Sequence, residues 1–157
     1  DELVLNKENI DLKEVLFQLK ENFEVFQLDP DSKLELRLTD KPHALLADPV
    51  HITNVLYNLM DNAVKYSLGS TQLLITTQIS ASYMLIEFSD QGIGIEKEHQ
   101  AAVFEKFYRV PTGDVHNVKG FGLGLYYVKL IIEAHKGKIT MKSSSGEGTS
   151  FNLKLPL

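Results

Sequence analysis

Two pairs of apolar-alternating segments, each joined by a few turn residues, do most to limit the fold. Leu73 to Ile79 and Tyr83 to Ser89 flank Ser80-Ala81-Ser82, while Ile139 to Ser143 and Thr149 to Leu155 flank Ser144-Ser145-Gly146-Glu147-Gly148. Period-two runs that follow each other this closely form hairpins, so their strands run antiparallel. Regular strand-helix-strand alternation is missing, and a doubly wound nucleotide fold is disfavoured.

Between the hairpins lie helical stretches. Asp11 to Phe26 starts on a capping pair, Asp11 with Glu14, and lines up Leu12, Val15, Leu16, Leu19 and Phe23 on one face. Asp48-Pro49 marks the start of a second helix that runs to Tyr66, with Ile52, Val55, Leu56, Leu59, Met60 and Ala63 at intervals of three and four. A short helical piece is expected from Lys97 to Phe104, and an almost wholly apolar helix from Gly122 to His135, stopped by Gly137. Lys33 to Thr39 alternates as a half-buried strand after the turn Asp29-Pro30-Asp31-Ser32, and Ala44 to Ala47 is a short second strand. Residues 1–10 read as a lead-in whose Leu3, Leu5 and Ile10 dock on the rest of the chain. The expected fold is a two-layer α+β sandwich: a mixed, mostly antiparallel sheet of about five strands with about three helices on one face.

A length of 157 residues with 43% hydrophobic content suffices for one domain with its own core. The formal charge of -5, with no run of Lys or Arg, argues against a nucleic-acid partner. Without Cys there is neither a disulfide framework nor a cysteine metal site, which is compatible with a reducing compartment. No apolar run approaches the roughly 20 residues of a membrane span, so membrane contact by this stretch is not expected. The chain starts at Asp1 rather than Met and is expected to be part of something longer.

Three features carry chemistry. Asn54, Asn58 and Asn62 follow each other at four-residue steps beside the apolar face of the second helix, with Asp61 and Lys65 in the same sector. Asn is a poor interior helix former, because its amide competes with the backbone for hydrogen bonds. An amide oxygen is, however, a hard neutral ligand for Mg2+, and the amide nitrogen can donate to phosphate. Asp90 ends the row Met84, Ile86, Phe88 on the core-facing side of its strand, where a carboxylate needs a donor such as an exocyclic amino group. Gln91-Gly92-Ile93-Gly94-Ile95 then omits alternate side chains, which would let a flat ligand approach the backbone. Gly120-Phe121-Gly122-Leu123-Gly124 precedes a helix, so its N–H groups could receive phosphates. It is neither the dinucleotide fingerprint nor a Walker A loop.

Five segments in order resemble the boxes of the catalytic, ATP-binding domain of bacterial sensor histidine kinases, which has the Bergerat fold shared with gyrase, Hsp90 and MutL. They are Asn58 to Ser67, Asp90 to Gly94, Phe104 to Arg109, Gly120 to Leu125, and Gly146 to Thr149. The resemblance implies a single kinase domain over residues 1–157, with a mobile ATP lid at 110–119 and a lead-in from a missing dimerisation and phosphoacceptor domain. It implies ATP and Mg2+ as ligands. Asn62 would hold the metal, Asn58 would lie beside it, and Lys65 and Arg109 would meet phosphate oxygens, so that Asn58, Lys65 and Arg109 are the catalytic candidates. Asp90 would accept from the adenine amino group, helped by Thr149, with Tyr66, Gly92, Gly94 and Ile95 around the base. Gly120, Gly122, Leu123 and Gly124 would border the phosphates, while Phe104 and Phe107 would pack beneath the lid.

The implied acceptor is a His followed by an acidic residue on a separate helical domain. None of His43, His51, His99, His116 or His135 has that neighbour, and none is given a catalytic role. A response regulator receiver domain is the implied downstream partner. The parent would be a homodimeric inner-membrane sensor whose kinase part is cytoplasmic. The rival ATPases of the fold place a Glu four residues before the metal-binding Asn to activate water; here Asn58 stands there and cannot act as a base. An anti-sigma Ser kinase and an interaction module that has lost the chemistry are further alternatives.

Overall fold

The computed structural model describes residues 2–108 and 124–157. The expected lid and Arg109, Gly120, Gly122 and Leu123 therefore lie outside the described residues. The element order is β1 (Glu8–Asp11), α1 (Leu12–Phe26), β2 (Lys33–Arg37), β3 (Ala44–Ala47), α2 (Pro49–Lys65), β4 (Gln72–Ile79), β5 (Tyr83–Asp90), α3 (Lys97–Gln100), α4 (Gly124–Ala134), β6 (Lys138–Ser144) and β7 (Gly148–Pro156). Five strands form a mixed sheet in the order β2-β4-β5-β7-β6. Both expected hairpins are present, and β2 joins β4 in parallel.

The sheet buries one face because its apolar residues alternate in register. Leu73, Ile75, Met84, Ile86, Phe88, Phe151, Leu153 and Leu155 are buried with Leu12, Leu16 and Leu19 of α1, the Ile52 to Ala63 stripe of α2, and Val128, Ile131 and Ile132 of α4. This is the expected two-layer α+β sandwich, with the helices on one side of a mixed sheet.

Several boundaries differ from the sequence reading. The lead-in is partly a strand: β1 pairs antiparallel with β3, and the two make a separate small sheet. Its residues Glu8, Asn9, Ile10 and Asp11 carry one apolar side chain, so no alternation announced it. Strand β2 ends at Arg37, two residues early, because the Thr39 N–H turns to Thr77 Oγ1 at 3.2 Å. The helix expected to reach Phe104 stops at Gln100; its start has no side-chain cap, and single turns follow, with N–H bonds from Ala102 to His99, Glu105 to Ala102 and Tyr108 to Glu105. At the end of α4 the left-handed residue is Lys136 (φ 62°) rather than glycine. Gly137 is needed for space: a Cβ there would lie 2.5 Å from the Lys154 carbonyl oxygen.

Candidate nucleotide site

Helix α2 begins where Asp48 Oδ1 accepts the N–H groups of Val50 and His51, and Pro49 occupies the first turn. Its apolar stripe fixes the helix against the core and leaves the Asn row at the margin, with Asn54 exposed and Asn58 and Asn62 half-buried. Asn58 Nδ2 donates to the Asn54 carbonyl at 2.8 Å, which turns the Asn58 side-chain oxygen outward. A Cβ on Gly124 would stand 3.1 Å from that oxygen, so the start of α4 lies against Asn58. The Asn62 amide makes no hydrogen bond to a described residue. Between Asn58 and Tyr66, α2 rises about 12 Å, the scale of an extended triphosphate.

At the far end of α2 the Tyr66 carbonyl accepts the Ile93 N–H at 2.9 Å, which ties the loop after β5 to the helix. Asp90 Oδ1 accepts the Gly92 N–H at 2.9 Å and the Thr149 N–H at 3.3 Å. Its Oδ2 has no hydrogen-bond partner among the described residues. Burial pushes the Asp90 carboxyl above the ordinary carboxylate range, and the two backbone N–H bonds oppose that shift without reversing it. A half-buried carboxylate with one oxygen unspent is a strong acceptor for an incoming N–H donor.

The glycines of this loop make room for protein backbone. A Cβ on Gly92 would lie 2.5 Å from the Tyr66 carbonyl oxygen, and one on Gly94 2.0 Å from the Ser144 carbonyl oxygen. Gly148, at φ +95°, would meet the Asp90 carbonyl oxygen at 2.1 Å. On the side where a Cβ would stand, the space at Gly92 and Gly94 is filled by protein backbone. These glycines let three chain segments touch, and that contact sets the position of Asp90.

The sequence reading missed the residue that joins these segments. Ser143 Oγ donates to the Gly148 carbonyl at 2.9 Å, receives the Ile95 N–H at 2.7 Å, and lies 2.8 Å from Thr149 Oγ1. Gln100 Nε2 adds bonds to the carbonyls of Ile95 and Ser143, both at 2.9 Å. The signal was present: Ser143 ends the core-facing row Ile139, Met141 as Asp90 ends its own. Thr149 begins the corresponding row of β7, and the register pairs it with Ser143. Three adjacent strands thus turn polar at the same end of the sheet. A cleft of about 590 Å³ beside this network is lined by Ile95, Glu96, Lys97, Gln100 and Ser143 to Ser145, and shares only Ile95 with the expected residues.

Phe104 sets its ring edge against Phe151, with centroids 6.2 Å apart, whereas Phe107 is 65% exposed at a φ of 65°. His51 and His135 make structural contacts. His51 Nδ1 shares a 2.8 Å hydrogen bond with the Tyr127 hydroxyl, which the Asn54 side chain also reaches; burial raises the Tyr127 pKa above its ordinary value despite the Asn54 bond. His135 Nε2 accepts the Asp48 N–H at 3.0 Å, so its proton sits on Nδ1 and is donated to the Ile131 carbonyl.

Comparison with known proteins agrees with the fold. Residues 47–157 match the family model described as histidine kinase-, DNA gyrase B-, and HSP90-like ATPase. Sensor protein RprX of Bacteroides fragilis is 42% identical over 155 residues, which is 98% of this chain and 30% of that protein. A mycobacterial sensor histidine kinase, MprB, superposes with a TM-score of 0.80 at 26% identity, covering 96% of this chain and 97% of that one. Full-length ShkA in complex with AMPPNP shares the fold, with a TM-score of 0.78 at 24% identity over 98% of this chain and 32% of that one. The chain belongs to the histidine kinase-type ATPase family, as the ATPase domain of a sensor histidine kinase. It spans less than a third of RprX, with 30% of that relative matched.

Proposed function

We propose that the chain binds ATP with Mg2+ and donates the γ-phosphate to a His on a separate helical domain. The observation that carries this reading is Asp90: a half-buried carboxylate, raised in pKa, with one oxygen tied to backbone N–H groups and the other uncommitted among the described residues. An adenine amino group supplies the missing donor. The binding of a nucleotide analogue by ShkA, which shares the fold, supports the same ligand class.

The donor set of α2 fits a hydrated Mg2+, since such ions take few protein ligands and prefer oxygen. Asn62 would hold the ion through its amide oxygen, and the metal would neutralise phosphate charge. Asn58 stands next to it, with Lys65 available to phosphate oxygens one turn further along and Arg109 assigned to the terminal phosphate. Tyr66, Ile95 and Thr149 border the base, Gly92 and Gly94 act by holding the Asp90 loop, and Gly120, Gly122, Leu123 and Gly124 flank the phosphates. The domain's contribution is positioning and charge neutralisation, since phosphoryl transfer asks little covalent chemistry of the protein. The acceptor His, the receiver domain and a dimeric, membrane-anchored parent belong to the rest of the protein; this part would work on the cytoplasmic side. Among the described residues no helix is long and apolar enough to cross a membrane.

The test is reconstitution. Calorimetry should detect Mg-ADP binding to the chain alone, and phospho-His should form only after the His-bearing helical domain of its parent is supplied. Nucleotide binding without phospho-His in that mixture would overturn the kinase reading; no nucleotide binding at any magnesium concentration would overturn both. Asn58, which donates to a backbone carbonyl, is no base for water. Asn58→Glu is therefore expected to raise slow ATP turnover, read by phosphate release.

A further inference from the structure

The face of the large sheet turned away from the helices is basic in a chain whose formal charge is -5. The register sets Lys33, Glu35 and Arg37 of β2, Glu87 of β5, Lys154 of β7, and Lys138 and Lys142 of β6 on that face: five basic residues against two acidic ones. Arg37 bonds Glu35 at 2.9 Å within its own strand. The lysines of β6 and β7 have no carboxylate within ion-pair distance among the described residues. Lys138 stands directly across from Lys154, and Lys142, four residues along, projects from the same face. Like charges opposite each other on neighbouring strands are destabilising.

Lysines on an edge strand commonly deter unwanted strand pairing. That accounts for Lys138 and Lys142, because β6 is the end strand of the sheet. It does not account for Lys154, on an inner strand, whose ammonium lies 4.3 Å from the centroid of the Tyr83 ring on the same face. Half-buried Leu74, Leu85 and Tyr83 give the centre of this face an apolar floor beside the lysines.

We propose that this face is a docking surface for an acidic, extended protein segment laid over β6 and β7, its carboxylates meeting Lys138, Lys142 and Lys154. The argument is charge complementarity joined to the apolar floor of Tyr83, Leu74 and Leu85 beside the lysines. Glu87 in the middle of the face disfavours a flat anionic membrane, which would press against it, whereas a segment over β6 and β7 stays clear of it. This surface is independent of the nucleotide site.

The experiment is an NMR titration of the isotope-labelled chain with a synthetic peptide of alternating Glu and Val, against a Lys and Val counterpart. The expected result is shift changes confined to Lys138 to Lys142, Lys154 and Leu85, and no response to the basic peptide. The double variant Lys138→Glu with Lys142→Glu should weaken binding at least about tenfold while leaving Mg-ADP affinity and melting temperature unchanged. It is expected to fold, because a Glu at position 138 faces Lys154; Lys142→Gln alone, with a smaller loss, guards against a misfolded double variant. Absent shifts, shifts at another surface, or affinity indifferent to charge reversal would each overturn the proposal. So would vesicles containing phosphatidylglycerol that bind in a Lys138- and Lys142-dependent way while the acidic peptide does not.

Discussion

At Asp90 the chain keeps a carboxylate where burial works against its charge. Its folded pKa lies above the ordinary value of 3.8, so its contribution to stability is fully present below that value and is lost as pH rises through the folded pKa. Asp90→Asn keeps an oxygen for the Gly92 and Thr149 N–H groups but removes the charge. The variant should melt at or above the wild-type temperature at pH 7, with the difference closing as pH falls toward 3.8, while adenine-nucleotide affinity drops by about 1.5–3 kcal/mol, the usual worth of a charged hydrogen bond. Thermal scans against pH and calorimetry read the two effects separately. The glycines give a second contrast. Gly94→Ala drives a Cβ into the Ser144 carbonyl at 2.0 Å and should prevent stable folding, whereas Gly146→Ala, at φ +80° with open space around it, should cost only about 1–2 kcal/mol in denaturant unfolding. Their spacing in the sequence marked glycine as necessary at these places. It could not show whether ligand or backbone fills the vacated volume, because the answer lies in residues some fifty positions away, such as Ser144 opposite Gly94.

Among the elements, the junction of α2 with α4 rests on His135, 3% exposed, which accepts the Asp48 N–H. Burial lowers its pKa, reinforced by Lys7 and His51 and opposed by the Ile131 carbonyl and by Asp48. A lowered His pKa means stability that is complete above the unfolded value of 6.5 and is lost as pH falls through the folded pKa. Melting temperature should therefore fall on acidification from pH 7.5 to below 6.5, and His135→Gln, which can still accept and donate, should flatten that slope. The Asp48 carboxylate, lowered by its backbone N–H bonds, belongs to a separate window: its share goes only as pH falls below 3.8. At this scale the strongly periodic helices and both hairpins were legible, because one buried face leaves a mark on every turn or every second residue. Strand β1 left no such mark, since its pairing with β3 is made by backbone and it buries little side chain. Helix α3 was read too long for the opposite reason: Val103 is buried and Phe104 packs on the core from a run of single turns, which imitates helical spacing.

For the molecule as a whole, ligand binding should register as global stability, since anything bound only by the folded state raises the unfolding free energy. Mg-ADP at about a hundred times its dissociation constant should add about 2.7 kcal/mol, seen as a higher melting temperature that shrinks when magnesium is chelated. The class of fold and the order of the site segments could be read along the chain, because each box is contiguous. The basic sheet face could not: Lys33, Arg37, Lys138, Lys142 and Lys154 come from both ends of the sequence and become neighbours only through the register.

The parallel seam between β2 and β4 also bears on how the molecule is assembled. Lys33 meets Gln72 only after the whole of α2 has been laid between them, whereas β4 finds β5 across a three-residue turn, Ser80 to Ser82. Closing the longer loop costs more chain entropy before any contact repays it, and non-local pairing slows folding. Strand β2 should therefore zip on last, and a pulse of hydrogen exchange during refolding should find Leu34 and Leu36 still open when Ile75 and Ile86 are already closed.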